Sequence, residues 1–152
     1  MGSKVVIPDL RGRKFTFAKT VSESDVYLFA GITGDFHPPH INEEYMKTTS
    51  MGTRIAHGTL TLSISITAAT TFMNSVFDEL DKAGLNALTK GYDRIRYIKP
   101  VFIGDTITGS YEIKEIREDR NETMGLLTVT NQKGETVLIA EHIVKYFPKV
   151  NS

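Results

Sequence analysis

The feature that most limits the fold of this chain is a run of more than twenty residues, Thr59 to Leu80, without glycine or proline. Apolar and hydroxyl side chains alternate from Leu60 to Ile66, which taken alone is typical of a strand. Beyond Thr67 the apolar residues are spaced three and four apart, which indicates a helix. Ordinary strands are shorter than this run. The length therefore favours one long helix that begins at about Gly58.

The residues before this run predict a strand and a helix. Apolar and polar side chains alternate over Lys14 to Thr20, the pattern of a half-buried strand. The serine and the carboxylate of Ser22-Glu-Ser-Asp25 are close to a capping box. A helix is therefore expected to begin near Glu23 and to end at Gly31 or Gly34.

Two prolines follow this predicted helix. Pro38 and Pro39 exclude a helical continuation and push His37 toward an extended backbone. Asn42 can cap a short helix, and the two glutamates after it lie in the first turn, where the helix dipole favours negative charge.

The C-terminal part of the chain has the pattern of a β-sheet. Four strand-like stretches are found at Arg94 to Lys99, Thr106 to Ile116, Leu126 to Thr130 and Thr136 to Phe147. The glycine-containing connection Asn131 to Gly134 predicts a hairpin between the last two. The order of elements therefore predicts an α+β fold, in which the long helix covers one face of an antiparallel sheet.

The composition fits one domain, residues 1–152. A chain of this size buries roughly 70% of the surface that it exposes when unfolded. Eighteen basic residues balance eighteen acidic ones, which leaves no electrostatic footprint for nucleic acid or an anionic membrane. The absence of cysteine excludes disulfides and thiolate chemistry, and no apolar run reaches the ~20 residues that span a bilayer. We expect a cytoplasmic protein without nucleic-acid or membrane partners.

The residues from Thr33 to Tyr45 read TGDFHPPHINEEY and place Asp35 and His40 on either side of the double proline. The prolines restrict the backbone, so these two side chains lose little further freedom when a reaction needs them fixed. A carboxylate and an imidazole are suited to proton transfer near neutral pH. His57 and Gly58 follow in RIAHG, where the N–H of Gly58 at a helix N-terminus can stabilise an oxyanion.

Other interpretations of these residues remain open from the sequence. The residues of this loop can simply be those that a turn favours, without a catalytic role. Asp35, His37, His40 and His57 are also candidate metal ligands, but no cysteine is present and the spacing matches no helical zinc motif. We therefore expect no metal.

Three cations follow the predicted helix. Arg94, Arg96 and Lys99 most simply form a solvated strand face, and they could alternatively neutralise the phosphates of a nucleotide-like substrate handle.

Several segments at matching separations resemble the MaoC-like (R)-specific enoyl-CoA hydratases. The signature of that family is a Gly-Asp pair, one further residue and Asn-Pro-x-His, with a His-Gly pair about twenty residues later. Here it reads Gly34-Asp-Phe-His-Pro-Pro-His40, followed by His57-Gly58. YIKPVFIGDTI from Tyr97 resembles the family's strand–Lys-Pro–strand–Gly-Asp passage. His37 departs from the pattern, since it stands where the family usually has asparagine.

The resemblance implies a hotdog fold, a curved antiparallel sheet wrapped around a long central helix. It also implies a homodimer or a dimer of dimers that needs no cofactor and acts on an enoyl-CoA or another acyl thioester. Asp35 and His40 would be the catalytic dyad that holds the reacting water. Gly58, His57 and His37 would form the oxyanion and substrate-binding part of the site. The family's supporting serine or threonine on the central helix has no clear match here.

Two alternative functions remain beside the hydratase. A hotdog thioesterase would use the same fold and a carboxylate but release a free thiol. A non-catalytic module that binds acyl thioesters is favoured only by His37. The side chains that set the acyl chain length are expected between Phe72 and Leu88.

Overall fold

The computed structural model describes residues 4–150, which form six helical segments and a five-stranded sheet. The first part of the chain contains one strand and the short helices. In order, these are β1 (Lys14–Thr20), α1 (Glu23–Thr33), α2 (Pro38–Ile41) and α3 (Glu43–Lys47). The second part contains the central helices and four strands: α4 (Gly58–Ser65), α5 (Thr67–Ser75), α6 (Phe77–Lys82), β2 (Leu85–Tyr97), β3 (Thr106–Arg117), β4 (Glu122–Thr130) and β5 (Thr136–Pro148).

The sheet is antiparallel throughout, with the strand order β1-β3-β4-β5-β2. Its inner face is apolar: Phe15 lies opposite Tyr111, which in turn lies opposite Leu127. Leu127 pairs with Ala140 of β5. Tyr111, Leu127 and Ala140 are at most 1% exposed. Alternation therefore directs one face of the sheet toward the helices, as the period-two pattern predicts.

Helices α4, α5 and α6 follow one another beneath this face. Phe72 of α5 is fully buried and packs against the rings of Phe15 and Tyr111, with centroid distances of 5.8 and 5.5 Å. Gly109 of β3 lies so close to α4 that a Cβ atom there would be 3.0 Å from the carbonyl oxygen of Ser65. A sheet wrapped around a central helical segment is the hotdog fold that the resemblance implies.

The single long helix expected from Gly58 is interrupted at Ile66 and Val76. The hydroxyl of Ser65 donates to the carbonyl of Thr61 at 2.8 Å, and that of Ser75 donates to the carbonyl of Phe72 at 2.7 Å. Ser63 and Thr71 make the same kind of bond inside α4 and α5 without an interruption. Backbone bonds from Ile66 N–H to Leu62 and from Thr70 N–H to Ile66 continue across the first interruption.

The N-terminal helices follow the predictions with one difference. Ser22 and Asp25 form a complete capping box at the start of α1, and Gly34 ends it in the left-handed conformation. Asn42 caps α3 through Tyr45 N–H. Pro38, however, begins the one-turn helix α2 instead of remaining in a loop. Proline is accepted in the first helical turn because the N–H groups there have no intrahelical partner.

Strand β2 begins at Leu85, well before the predicted start at Arg94. Its pairing with β5 shifts register between Thr89 and Gly91 and again between Asp93 and Arg96. Each shift breaks the alternation that reveals a strand in a sequence. Within residues 4–150, no helix is long and apolar enough to cross a membrane.

Candidate active site

A cleft of about 460 Å³ lies where the end of α1, helix α2 and the start of α4 meet. Asp35 and His40 line it from the segment after α1, and His57 and Gly58 line it from the start of α4. The segment Tyr97–Val101, which begins at the last residue of β2, forms another wall. The cleft therefore gathers residues that lie far apart in the sequence.

Asp35 is placed by the end of α1. Gly34, with a φ angle of 76°, turns the chain out of the helix directly before it. The Asp35 carboxylate accepts a hydrogen bond from the N–H of His37 at 3.3 Å. The side chain is exposed at the mouth of the cleft, so a ligand can reach it.

His40 is half-buried, and one of its ring nitrogens is fixed. Nδ1 lies 2.9 Å from the carbonyl oxygen of Ile55. A carbonyl oxygen only accepts, so Nδ1 carries the proton and Nε2 of the neutral ring presents a lone pair. Burial is the main cause that lowers the pKa of His40, and His57 and His37 lower it further, against the Ile55 carbonyl and Asp35, which raise it. The ring is therefore neutral at pH 7.

His57 lies behind His40 and is 1% exposed. The two imidazole rings are stacked, with centroids 3.8 Å apart and planes 29° apart. His57 Nε2 lies 2.9 Å from the backbone carbonyl oxygen of Asp35, and Phe29 packs against the ring at 5.0 Å. Within residues 4–150, His57 Nδ1 is buried without a hydrogen-bond partner.

Gly58 is the first residue of α4, so its N–H has no partner within the helix. A Cβ atom at this position would be 2.9 Å from Cε1 of Tyr97. A side chain at this position would therefore require the Tyr97 ring or the start of the helix to shift. The arrangement leaves a backbone donor beside an aromatic wall of the cleft.

The structure brings together three of the four candidate metal ligands. Ligand atoms of Asp35, His40 and His57 lie within 4.8 Å of one another. The lone pairs of an imidazole lie in its ring plane, so two rings stacked at 3.8 Å do not direct them at one point. This geometry favours acid–base chemistry over a metal site. His37 is exposed, and its ring centroid is 6.4 Å from that of His40.

The three predicted phosphate contacts separate into two groups. Lys99 lines the cleft and forms an ion pair with Glu135 at 2.6 Å. Arg94 and Arg96 line a neighbouring pocket that shares Tyr97 and Ile98 with the cleft.

The two arginines differ in their partners. Arg94 is paired with Glu141 at 2.8 Å. Arg96 donates to the carbonyl of Ile95 and has no carboxylate partner within residues 4–150. Arg96 is therefore the more available of the two for an anionic ligand.

Sequence reasoning matched YIKPVFIGDTI from Tyr97 to the family but did not predict that Tyr97–Val101 forms a wall of the cleft. It also missed the carbonyl of Ile55, because every residue carries such a group. It also expected side chains between Phe72 and Leu88 to close the pocket, and none of them lines this cleft. The sequence did not identify a supporting hydroxyl on the central helix, and the structure shows which hydroxyl groups lie near the cleft. Thr59 and Thr61 both line the cleft. Thr61 is buried, and its hydroxyl donates to the carbonyl of His57 at 3.2 Å.

Comparison with known proteins places this geometry in a family. The profile of the MaoC-like domain matches residues 9–135. The (R)-specific enoyl-CoA hydratase of Rhodospirillum rubrum is 38% identical over 103 residues, 67% of this chain and 64% of that relative, which is less than two thirds of its length. The (R)-specific enoyl-CoA hydratase of Aeromonas caviae is 27% identical over 134 residues, 88% of this chain and 92% of the relative.

A solved structure agrees with these matches. The monoamine oxidase regulatory protein of Archaeoglobus has a TM-score of 0.77 and 34% identity, covering 93% of this chain and 92% of its own. The family profile matches most of the chain, and its signature residues lie together in the cleft. The chain belongs to the MaoC-like domain family.

Proposed function

We propose that this protein is a hydratase that reversibly adds water to trans-2-enoyl-CoA to give (R)-3-hydroxyacyl-CoA. The observation that carries the proposal is the pair formed by the Asp35 carboxylate and the free Nε2 of His40, which face one cleft. The two relatives named as (R)-specific enoyl-CoA hydratases support the substrate class and the stereochemistry.

The pair is suited to hold one water molecule. The ligand atoms of Asp35 and His40 are within 4.8 Å, a separation that one water can bridge with two hydrogen bonds. Nε2 of the neutral His40 ring accepts the proton of this water as its oxygen attacks C3 of the enoyl group. The Asp35 carboxylate accepts the other hydrogen of the water, orients it, and stabilises the imidazolium that forms.

The second half of the reaction returns the proton. Attack at C3 moves the π electrons through C2 toward the thioester carbonyl, which gains enolate character. The proton held on His40 then passes to C2, so that the ring is neutral again and the atoms of one water have been added. Dehydration is the same sequence in reverse.

The Gly58 N–H is the proposed donor to the thioester oxygen. It lies at the N-terminus of α4, where the helix dipole favours negative charge. A single preorganised donor of this kind typically contributes about 3 kcal/mol to the transition state. The Tyr97 ring would exclude water from one side of this oxygen.

The coenzyme A part of the thioester is proposed to run from the cleft along Tyr97 and Ile98. These two residues also line the neighbouring pocket that contains Arg96. Arg96 and Lys99 would contact the phosphates of coenzyme A, with Arg94 nearby. A guanidinium can bind a phosphate with two hydrogen bonds. Charge reversal at Arg96 should therefore raise KM for a coenzyme A substrate without lowering kcat.

We further propose that the whole chain acts as one MaoC-like unit within a homodimer. Strand β2 is an edge strand of the sheet, and Leu88, Tyr97 and Ile98 on it and directly after it are 64, 51 and 48% exposed. Long, apolar edges of this kind are usually paired or covered. Light scattering after gel filtration should give twice the chain mass.

The test is an assay with crotonyl-CoA. The conjugated ultraviolet absorbance of the enoyl thioester should fall when the protein is added, without release of a free thiol. Thiol release would instead support a thioesterase, and binding without turnover would support a non-catalytic module. Either of these results would refute the proposed hydration.

A further inference from the structure

We infer that His57 is the positioning residue of the site: its buried ring holds both members of the Asp35–His40 pair in place. The inference deepens the proposed function and rests on it. The ring of His57 stacks on His40 at 3.8 Å, and its Nε2 lies 2.9 Å from the backbone carbonyl of Asp35. One side chain therefore contacts the ring of His40 and the backbone of Asp35, the two residues between whose side chains the water is proposed to sit.

The hydrogen bond explains why an imidazole occupies this position. The Asp35 carbonyl only accepts, so His57 Nε2 carries the proton and Nδ1 keeps its lone pair. Nδ1 is buried and has no partner within the described part of the chain, an arrangement that costs stability. A phenyl ring would keep the stacking and avoid this cost. The imidazole therefore contributes something that a phenyl ring lacks, which is the N–H bond to Asp35.

His57 is itself held on three sides. Its carbonyl accepts from the N–H and the hydroxyl of Thr61, at 3.1 and 3.2 Å. Phe29 packs against its ring at 5.0 Å, and the next residue, Gly58, carries the proposed oxyanion donor. Because these contacts leave the His57 ring little freedom to move, the ring fixes Asp35 and His40 relative to the start of α4.

Three substitutions of His57 distinguish the effect of its hydrogen bond to Asp35 from the effect of the space that its ring fills. In His57→Gln the amide nitrogen can occupy the place of Nε2 and donate to Asp35, whereas His57→Asn is too short and His57→Phe keeps only the ring. We expect kcat to fall about 100-fold in the Asn and Phe variants, as for a misplacement of about 1 Å. The Gln variant should stay within about 10-fold of the wild type, and KM should not change in any of the three.

The matched control is the other buried histidine. His142→Gln removes an imidazole from the sheet, away from the cleft, and should leave kcat unchanged. Urea unfolding of each variant checks the fold, and if the Phe variant fails to fold, the comparison of Gln with Asn remains. Equal losses in the Gln and Asn variants, or a raised KM with an unchanged kcat, would overturn the inference.

Nuclear magnetic resonance of the histidine rings supplies a readout that does not depend on turnover. Nitrogen shifts of the unliganded wild type should identify His57 as the Nε2–H tautomer and His40 as the Nδ1–H tautomer. If His57 carries its proton on Nδ1, the positioning inference is wrong even when the enzyme is active. If the tautomers agree but no enoyl thioester is hydrated, the proposed function is wrong instead.

Discussion

Within residues 4–150 an imidazole is stacked on another ring at two places, one at the cleft and one inside the sheet, and the ring nitrogens have different partners. At the cleft, His40 and His57 each have one nitrogen fixed by a backbone carbonyl. In the sheet, His142 stacks on Tyr92 with centroids 4.6 Å apart. Its Nε2 lies 2.9 Å from Thr89 Oγ1, and its Nδ1 lies 3.2 Å from the Tyr111 hydroxyl.

The difference separates a reactive histidine from a structural one. Burial holds the pKa of His142 at about 4, and both of its nitrogens have partners. It therefore contributes to the stability of the sheet and has no free lone pair for a substrate. His40 is tied on one side only, and its other nitrogen faces a cleft beside a carboxylate. Burial and ring stacking occur at both places. The ring nitrogen that a ligand can reach, Nε2 of His40, lies at the cleft.

The largest effect is expected at the cleft. Asp35→Asn and His40→Ala should each lower the rate of hydration about 1,000-fold, because each removes a partner of the reacting water. The free energy of unfolding should change little, since Asp35 is exposed and His40 is half-buried. Crotonyl-CoA absorbance and urea unfolding measure the two quantities. Full activity in both variants would contradict the assignment.

The next effect concerns His142 and the pH dependence of stability. The pKa of His142 is about 4 in the folded protein and about 6.5 in the unfolded chain. The unfolded state therefore binds more protons between these values, and stability falls as pH is lowered from about 6.5 to about 4. The loss amounts to about 3 kcal/mol, since each pKa unit corresponds to ~1.4 kcal/mol.

His142→Phe tests the source of this loss. The variant should be about 2 kcal/mol less stable at pH 7, because Tyr111 and Thr89 lose a hydrogen-bond partner. Because phenylalanine does not titrate, position 142 should no longer contribute to the fall in stability over this pH range. Urea unfolding at several pH values measures both effects. An unchanged pH dependence would assign the loss to other groups.

A smaller effect is expected from Gly58→Ala. The new Cβ would be 2.9 Å from the Tyr97 ring, so the helix start or the ring must shift. A shift of about 1 Å at the oxyanion donor should lower kcat about 100-fold. In a Tyr97→Leu background the same substitution should cost less, and a double-mutant cycle measures the difference. Additive effects would show that the ring does not constrain this position.

The smallest effect is expected at His37. Neutral His40 is the proposed base, so activity is lost as pH falls through the pKa of His40, which lies below its ordinary value of 6.5. His37 is among the groups that lower this pKa. His37→Asn should therefore move the acidic limb of the pH–rate profile to higher pH and leave the plateau unchanged. A lower plateau would indicate that His37 contacts the substrate.

The parts of the fold that depend on local pattern were predictable from the sequence. The alternation over Lys14–Thr20 and the capping box at Ser22 correspond to β1 and the start of α1. The early start of β2 at Leu85 was not predictable, because two register shifts break the alternation. The interruptions at Ile66 and Val76 were not predictable either, because the apolar spacing continues through both positions.

The candidate site was predictable in its residues and less so in its geometry. The signature spacing identified Asp35, His40 and Gly58, which line one cleft. The stacking of His57 on His40 and the tautomers of both rings depend on backbone carbonyls, which every residue carries. His142 was overlooked for a similar reason, since it lies alone in β5 and its partners come from β2 and β3.

The most direct test of the central claim runs the reaction in reverse. The wild-type protein should be incubated with (R)-3-hydroxybutyryl-CoA and, separately, with the (S) enantiomer, while the absorbance of the conjugated enoyl thioester is recorded. The account predicts a rise with the (R) substrate alone, and its loss in Asp35→Asn. No rise with the (R) substrate, or an equal rise with both enantiomers, would contradict it.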